Sequence, residues 1–299
     1  MKIGIVGPGA VGTFLAGLLG QENEVTLLGR KSLDIKDIEV VGKTEIKCSV
    51  DYTVSDSELA DDELIIICTK SFDTDDAMRS ISDHLSADSV VLSLQNGLNN
   101  EKVISSYVGE DRTIGGVTSN GVTFIEPGKV RHAGVGETVI GSYPKGHHES
   151  IDDVCEILNR AGIKTRTSSE IISHIWEKTI VNSAINPLTA VLDIKNGALI
   201  EDEFLEHLLE KIVSESVKVA EKQIDTSEDS LVSRTMEVAD NTSDNYSSML
   251  QDIRNKNKTE IEQINGEIIK IGGRSGVQTP INQTLFNLVK SKENRYLSG

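Results

Sequence analysis

The 299-residue chain has no uninterrupted apolar run of the ~18 residues that a membrane-spanning helix requires. It also shows no signal-peptide pattern, since Met1 leads straight into the strand-like KIGIVG. A soluble cytoplasmic protein is therefore expected. Cysteine is scarce: Cys48, Cys68 and Cys155 are an odd number, at spacings unlike those of metal sites. They read as reduced packing residues, and no metal centre is expected. Positive charge is in deficit, with 30 Lys and Arg against 47 Asp and Glu and a net charge of −17. Such a field excludes nucleic acid and anionic membrane as partners, so an anionic ligand must find a local basic pocket. No internal repeat or low-complexity tract interrupts the chain, and acidic stretches such as SDSELADDE read as solvated surface or helix starts.

What is present is enough apolar content, 37% of residues, for one large core or two ordinary ones. The first thirty residues, MKIGIVGPGAVGTFLAGLLGQENEVTLLGR, combine an apolar strand, a glycine turn, a helix of alanines and leucines, and a second strand. In this βαβ unit Gly7, Gly9 and Gly12 fit G-x-G-x-x-G at the strand-to-helix junction. There glycines allow a tight turn, the approach of backbone to a pyrophosphate, and close helix–strand packing. A dinucleotide cofactor is expected on the turn formed by Gly7, Gly9, Ala10, Val11 and Gly12.

A carboxylate at the end of the second strand would hydrogen-bond the ribose 2′-hydroxyl of NAD. The chain reads Gly29-Arg30-Lys31 instead. Two cations without an acid there suit a 2′-phosphate, so NADP is the expected cofactor; the competing reading makes both ordinary surface charges. The buried-strand runs ELIIICTK and SVVLSLQNG end in Lys70 and in the Gln95-Asn96-Gly97 turn. Ligands of open parallel sheets lie beyond such carboxyl ends, although lysines and asparagines there also serve simply as turn formers. The pieces TIGGVTSNGVTFIEPGKVRHAG and ETVIGSY look like antiparallel hairpins extending the sheet, and IKTRTS like its last strand. The expected fold is α/β, an N-terminal Rossmann-like doubly wound sheet over residues 1–167 followed by an all-helical domain over 168–299.

The helical half is read from long amphipathic segments at 169–191, 201–224, 227–239, 245–272 and 280–293. In the first, Lys178, Asn182 and Asn186 recur every four residues on an otherwise apolar helix, which stacks all three on one stripe. Burying an unpaired amide costs about 1–3 kcal/mol, so such a stripe calls for a reason. Pro187 withholds an N–H within this segment, and a kink or break is expected there. In the fourth segment Ser248, Asp252 and Glu260 are spaced at multiples of four on one expected helix, whose bland reading is a surface with pairs such as Lys256 and Glu260. One stripe with a lysine and another with a carboxylate together suit a small polar substrate.

At these residues the sequence resembles the ketopantoate 2-reductase family, along essentially its whole length. The pieces are GPGAVG, QNG at 95–97, KTIVNSAINPLTA at 178–190, NG at 196–197, DNYSSMLQD at 244–252 and TEIEQINGEI at 259–268. The resemblance implies NADPH-dependent reduction of 2-dehydropantoate to (R)-pantoate for pantothenate and coenzyme A, with a small 2-oxo acid as partner and room for a homodimer. It implies Lys178 as catalytic acid and Glu260 as its aid, on substrate and cofactor alike. Asn182, Asn186, Asn196 and Ser248 would line the substrate site. Asn96 would sit between nicotinamide and substrate, and Asn245, Lys70 and Arg30 would be further cofactor contacts. A paralogous reductase of another 2-oxo acid would use the same lysine chemistry, and a non-catalytic NADP-sensing protein is the reading from another class.

Overall fold

The computed structural model describes residues 1–146 and 150–297. The strands are β1 (Lys2–Val6), β2 (Glu24–Leu28), β3 (Asp37–Gly42), β4 (Ile46–Ser49), β5 (Asp51–Thr53), β6 (Leu64–Ile67), β7 (Val90–Ser93), β8 (Thr113–Thr118), β9 (Gly121–Glu126), β10 (Lys129–Gly134), β11 (Thr138–Ser142) and β12 (Thr165–Thr167). Among them lie α1 (Ala10–Leu19), α2 (Thr74–Ile81), α3 (Asn100–Val108) and α4 (Ile151–Arg160). The helices that follow are α5 (Ile171–Leu192), α6 (Ala198–Glu201), α7 (Glu203–Ala220), α8 (Glu228–Asn241), α9 (Ser248–Arg254), α10 (Glu267–Ser275) and α11 (Pro280–Leu297). The chain divides into two compact units, one of residues 1–95 and 100–174, the other of 96–99 and 175–299.

In the first unit eight strands form one sheet in the order β12-β11-β8-β7-β6-β1-β2-β5, parallel from β8 through β5. At its centre β6 and β7 are buried at every position because both faces of the sheet are covered. Leu64 and Ile66 of β6 join the core shared with α1 and α4, while Ile65 and Ile67 join the opposite core with Met78 and Ile81 of α2 and Ile104 of α3. This is the Rossmann-like layering that the sequence led us to expect.

The hairpins depart from expectation. β8 and β11 do extend the main sheet as an antiparallel pair, but β9 and β10 leave it and join β3 and β4 in a separate four-stranded sheet, β4-β3-β10-β9. Alternation explains the choice. Ile38 and Val40 of β3 and Val130 of β10 face the apolar flank of α1, and Gly17 of that helix leaves room for the Ile38 and Val40 side chains. A ribbon apolar on one side covers a helix better than it extends a sheet buried on both.

The second unit is helical, with a core that includes Ala190, Met249, Leu250, Ile261, Ile264 and Val289. α5 runs through Pro187 without a break. The carbonyl of Ser183, which the missing Pro187 N–H would have bonded, instead accepts from Asn265 Nδ2 at 2.9 Å. A tertiary partner thus supplies the donor that proline removed. The expected helix over 245–272 is not continuous: α9 ends at Arg254, Lys256 adopts a left-handed φ of 57°, and a π-helical turn, Glu262–Gly266, precedes α10. Ser248 and Glu260 therefore belong to different elements, and the Lys256–Glu260 spacing of one helix is lost. Among the described residues no helix is long and apolar enough to cross a membrane.

Candidate active site

At the carboxyl end of β1 the three glycines meet different steric demands. Gly7 has φ +108°, and a Cβ there would come within 2.8 Å of the Thr69 nitrogen. A Cβ on Gly12 would lie 2.0 Å from the Gly7 carbonyl oxygen, so the turn packs against its own helix. A Cβ on Gly9 would meet nothing within 4 Å. The backbone at Gly9 thus faces open space at the start of α1. The helical ladder begins with Thr13 N donating to Gly9 O at 2.9 Å, so the N–H groups of Ala10, Val11 and Gly12 precede it. No acidic residue occupies the first turn, and the positive end of the helix dipole is left uncancelled. A cradle open at Gly9, with backbone donors and no competing carboxylate, fits a pyrophosphate.

Beyond β2, Arg30 is exposed and holds Asp73 through two bonds, Nη1 to Oδ1 at 3.1 Å and Nη2 to Oδ2 at 2.6 Å. Lys31 is exposed beside it, its carbonyl accepting from the Tyr52 hydroxyl. Lys70 closes the turn after β6, directly before the short 3-10 segment Ser71–Asp73. Gln95, at the end of β7, donates its amide to Thr69 O, Thr69 Oγ1 and Thr74 Oγ1 at 2.9–3.1 Å, which locks the ends of β6 and β7 together. Sequence reasoning missed Asp73, since nothing local ties it to Arg30, 43 residues away. A cavity of about 720 Å³ lined by Lys2, Glu24, Asp61 and Asp62 opens at the amino ends of β1 and β2, opposite the glycine turn.

In the helical unit the sequence-expected groups gather around α5. Lys178 is half-buried, and loss of solvent around its ammonium pulls its pKa down to about 8, against the raising influence of the Glu260 carboxylate. Glu260 is buried and accepts from Asn96 Nδ2 at 3.0 Å. Asn182 is half-buried and Asn186 buried along the same helix. The buried Asn196 donates its amide to Thr242 Oγ1 at 2.8 Å and its backbone N–H to Asn245 O at 3.1 Å, while among the described residues no donor reaches its Oδ1. The side chains of Asn245 and Ser248 lie at exposed positions flanking Ser247, whose hydroxyl caps α9 through Leu250 N and meets Thr189 Oγ1 at 2.7 Å.

Two supports were not legible in the sequence. Glu293 of α11, fully buried, accepts from both the backbone N–H and the hydroxyl of Thr259 at 2.7 and 2.6 Å, and so fixes the residue before Glu260. Asn265 ties the π-helical turn to α5, and Asn282 and Glu215 orient it. A partly desolvated lysine coupled to a carboxylate, beside uncharged amides, can donate a proton and hold a polar ligand at neutral pH. Among the described residues no group of acidic, His and Cys side chains has the arrangement to hold a metal.

The family model for ketopantoate reductase PanE/ApbA matches residues 3–145, and the model for its C-terminal part matches residues 170–293. The chain is 43% identical to the 2-dehydropantoate 2-reductase of Pyrococcus horikoshii and 35% identical to that of Halobacterium salinarum, covering 98% of each relative and 98% and 97% of this chain. Among solved structures, D-mandelate dehydrogenase with NADH and anilino(oxo)acetate superposes with a TM-score of 0.93 at 28% identity, covering 99% of this chain and all of that one. The PanE/ApbA family ketopantoate reductase of Ralstonia eutropha gives 0.91 at 28% identity over the same shares.

Proposed function

The chain belongs to the ketopantoate reductase family, and on that premise we propose that it is a cytoplasmic enzyme reducing 2-dehydropantoate to (R)-pantoate with NADPH. The observation that carries this reading is Lys178, brought down to about 8 next to Glu260 on a helix that also bears Asn182 and Asn186. The nicotinamide cofactor, when bound, supplies the hydride. Gly7, Gly9, Ala10, Val11 and Gly12 hold its pyrophosphate through backbone donors, Arg30 its 2′-phosphate, and Lys70 and Asn245 further polar groups.

Negative charge develops on the carbonyl oxygen as the ketone is reduced, and Lys178 meets it first as a cation and then as the proton donor. Its lowered pKa makes donation easier, while Glu260 keeps enough of it protonated at neutral pH. Asn182, Asn186 and Asn196 orient the oxo acid without neutralising the lysine, because an amide supplies both donor and acceptor and no charge. Glu260 and Ser248 take the substrate hydroxyl. Asn96 bonds Glu260 and contacts both ligands.

Pantoate formed from ketopantoate and NADPH by the purified protein, followed by loss of nicotinamide absorbance, tests the reading. No NADPH oxidation with ketopantoate would overturn it. A second reading, reduction of another 2-oxo acid, is favoured by the likeness to D-mandelate dehydrogenase at a TM-score of 0.93. Rates across a panel of branched, aromatic and hydroxylated 2-oxo acids separate the two.

A further inference from the structure

Asp73 stands at the N-cap of α2, yet its carboxylate makes no capping hydrogen bond. Both oxygens instead face Arg30, at 3.1 and 2.6 Å. The partners differ in exposure, the aspartate side chain at 16% and the arginine at 76%, so the anion is held in the fold while the cation reaches over it from the surface. The end of β2 carries no carboxylate in its own sequence, but the fold delivers one there from the loop after β6. The two cations read at Arg30 and Lys31 therefore come with an anion that local sequence does not show.

We infer that Asp73 is a specificity-determining residue for the nucleotide: a fixed counter-charge that limits how strongly Arg30 can favour a 2′-phosphate over a 2′-hydroxyl. The inference rests on the proposed contact between Arg30 and that phosphate. A guanidinium has five N–H donors, and Asp73 engages one on each terminal nitrogen, so a phosphate can still share Arg30. It must then lie beside a carboxylate of like charge, and that repulsion offsets part of the attraction. A ribose hydroxyl meets no such penalty, and it can donate a hydrogen bond to a carboxylate. The chain accordingly discriminates between NADPH and NADH less sharply than Arg30 and Lys31 alone would dictate.

The test is calorimetric binding of adenosine 2′,5′-bisphosphate and of adenosine 5′-monophosphate to the full chain, as wild type, Asp73→Asn and Arg30→Ala, at low ionic strength. Neither probe requires turnover of a keto acid, so the result is independent of the substrate assigned above. Arg30→Ala should weaken the bisphosphate by about tenfold or more, as for loss of a charge-assisted contact. Asp73→Asn should tighten the bisphosphate relative to the monophosphate by about tenfold, and the gain should shrink as salt rises. Asparagine is as good a helix N-cap as aspartate, and Asp73→Ser, a second uncharged cap, should give the same direction. If Arg30→Ala weakens the bisphosphate but both Asp73 variants leave the ratio unchanged or lower it, Asp73 only positions Arg30 and the inference fails while the NADP reading stands. If Arg30→Ala has no effect on either probe, the phosphate contact and the inference fall together.

Discussion

At the turn from Gly7 to Gly12 the groups offered to a ligand are backbone N–H groups, whereas on α5 they are the side chains of Lys178, Asn182 and Asn186. The turn is made by the absence of side chains, and its tightest approach, Gly12 to the Gly7 carbonyl oxygen, lies within six residues. The stripe is made by side chains whose properties are set from outside α5, by Glu260, by Asn265, and through Thr259 by Glu293. A local device of this kind is broken by adding atoms; a dispersed one is broken by removing a partner far away in sequence.

The largest expected effect separates binding from chemistry. Lys178→Ala should lower kcat by about 10²–10⁴-fold, the usual scale for a lost general acid, with NADPH affinity nearly unchanged. Steady-state rates and a cofactor titration on the same preparation check it, and a variant within threefold of wild type would remove Lys178 from the reaction.

Next come two alanines on the turn. Gly12→Ala drives a Cβ to 2.0 Å from the Gly7 carbonyl oxygen, so both thermal stability and cofactor binding should fall, the former by about 1–3 kcal/mol or more. Gly9→Ala adds its Cβ to open space at an ordinary φ of −79°, so the melting temperature should hold while NADPH binding weakens by about tenfold, since the methyl fills the approach to the backbone. Equal losses of stability in the two variants would contradict the steric distinction between these glycines.

A smaller effect probes the remote support of the stripe. Asn265→Ala leaves the Ser183 carbonyl without its side-chain donor and should cost about 1–3 kcal/mol, read as a lower denaturant midpoint at constant m. Pro187→Ala returns the backbone N–H, so adding it to Asn265→Ala should recover part of the loss. Strict additivity of the two substitutions would argue against a shared carbonyl.

The mildest change is in pH dependence. With Lys178 as the proposed proton donor, kcat/KM for reduction should fall as pH rises through about 8, and oxidation of pantoate, which would use the neutral amine, should rise over the same interval. Because the Glu260 carboxylate raises the lysine pKa, Glu260→Gln should move that limb to lower pH and raise KM for the oxo acid more than for NADPH. A limb that stays in place would mean that Glu260 does not couple to the reacting lysine.

Legibility in the sequence follows the same division. The βαβ start, the apolar runs of β6 and β7 and the helical periodicity of α5 could be read because each is a short-range pattern. Pro187 misled because the rule that proline opens a helix counts only donors within the helix, and Asn265 lies 78 residues further on. The segment 245–272 misled because its charge spacing suits one helix, while the interruption at Asn255–Lys258 is stabilised where Thr259 meets Glu293. The hairpin of β9 and β10 could be seen, but not its partners β3 and β4, since strand pairing is decided by which apolar face lacks a cover.

By itself the sequence determined the glycine turn, the succession of an α/β half and a helical half, and the alignment of one lysine and two asparagines on a single helix face, because sterics and periodicity act over a few residues. Only the tertiary structure decided that Lys178 would lose solvent beside Glu260, that α5 would run unbroken through Pro187, and that Arg30 would share its charge with Asp73. Desolvation, an orphaned carbonyl and an ion pair all depend on groups distant in the chain, and their energies exist only once folding has set those groups a few ångströms apart.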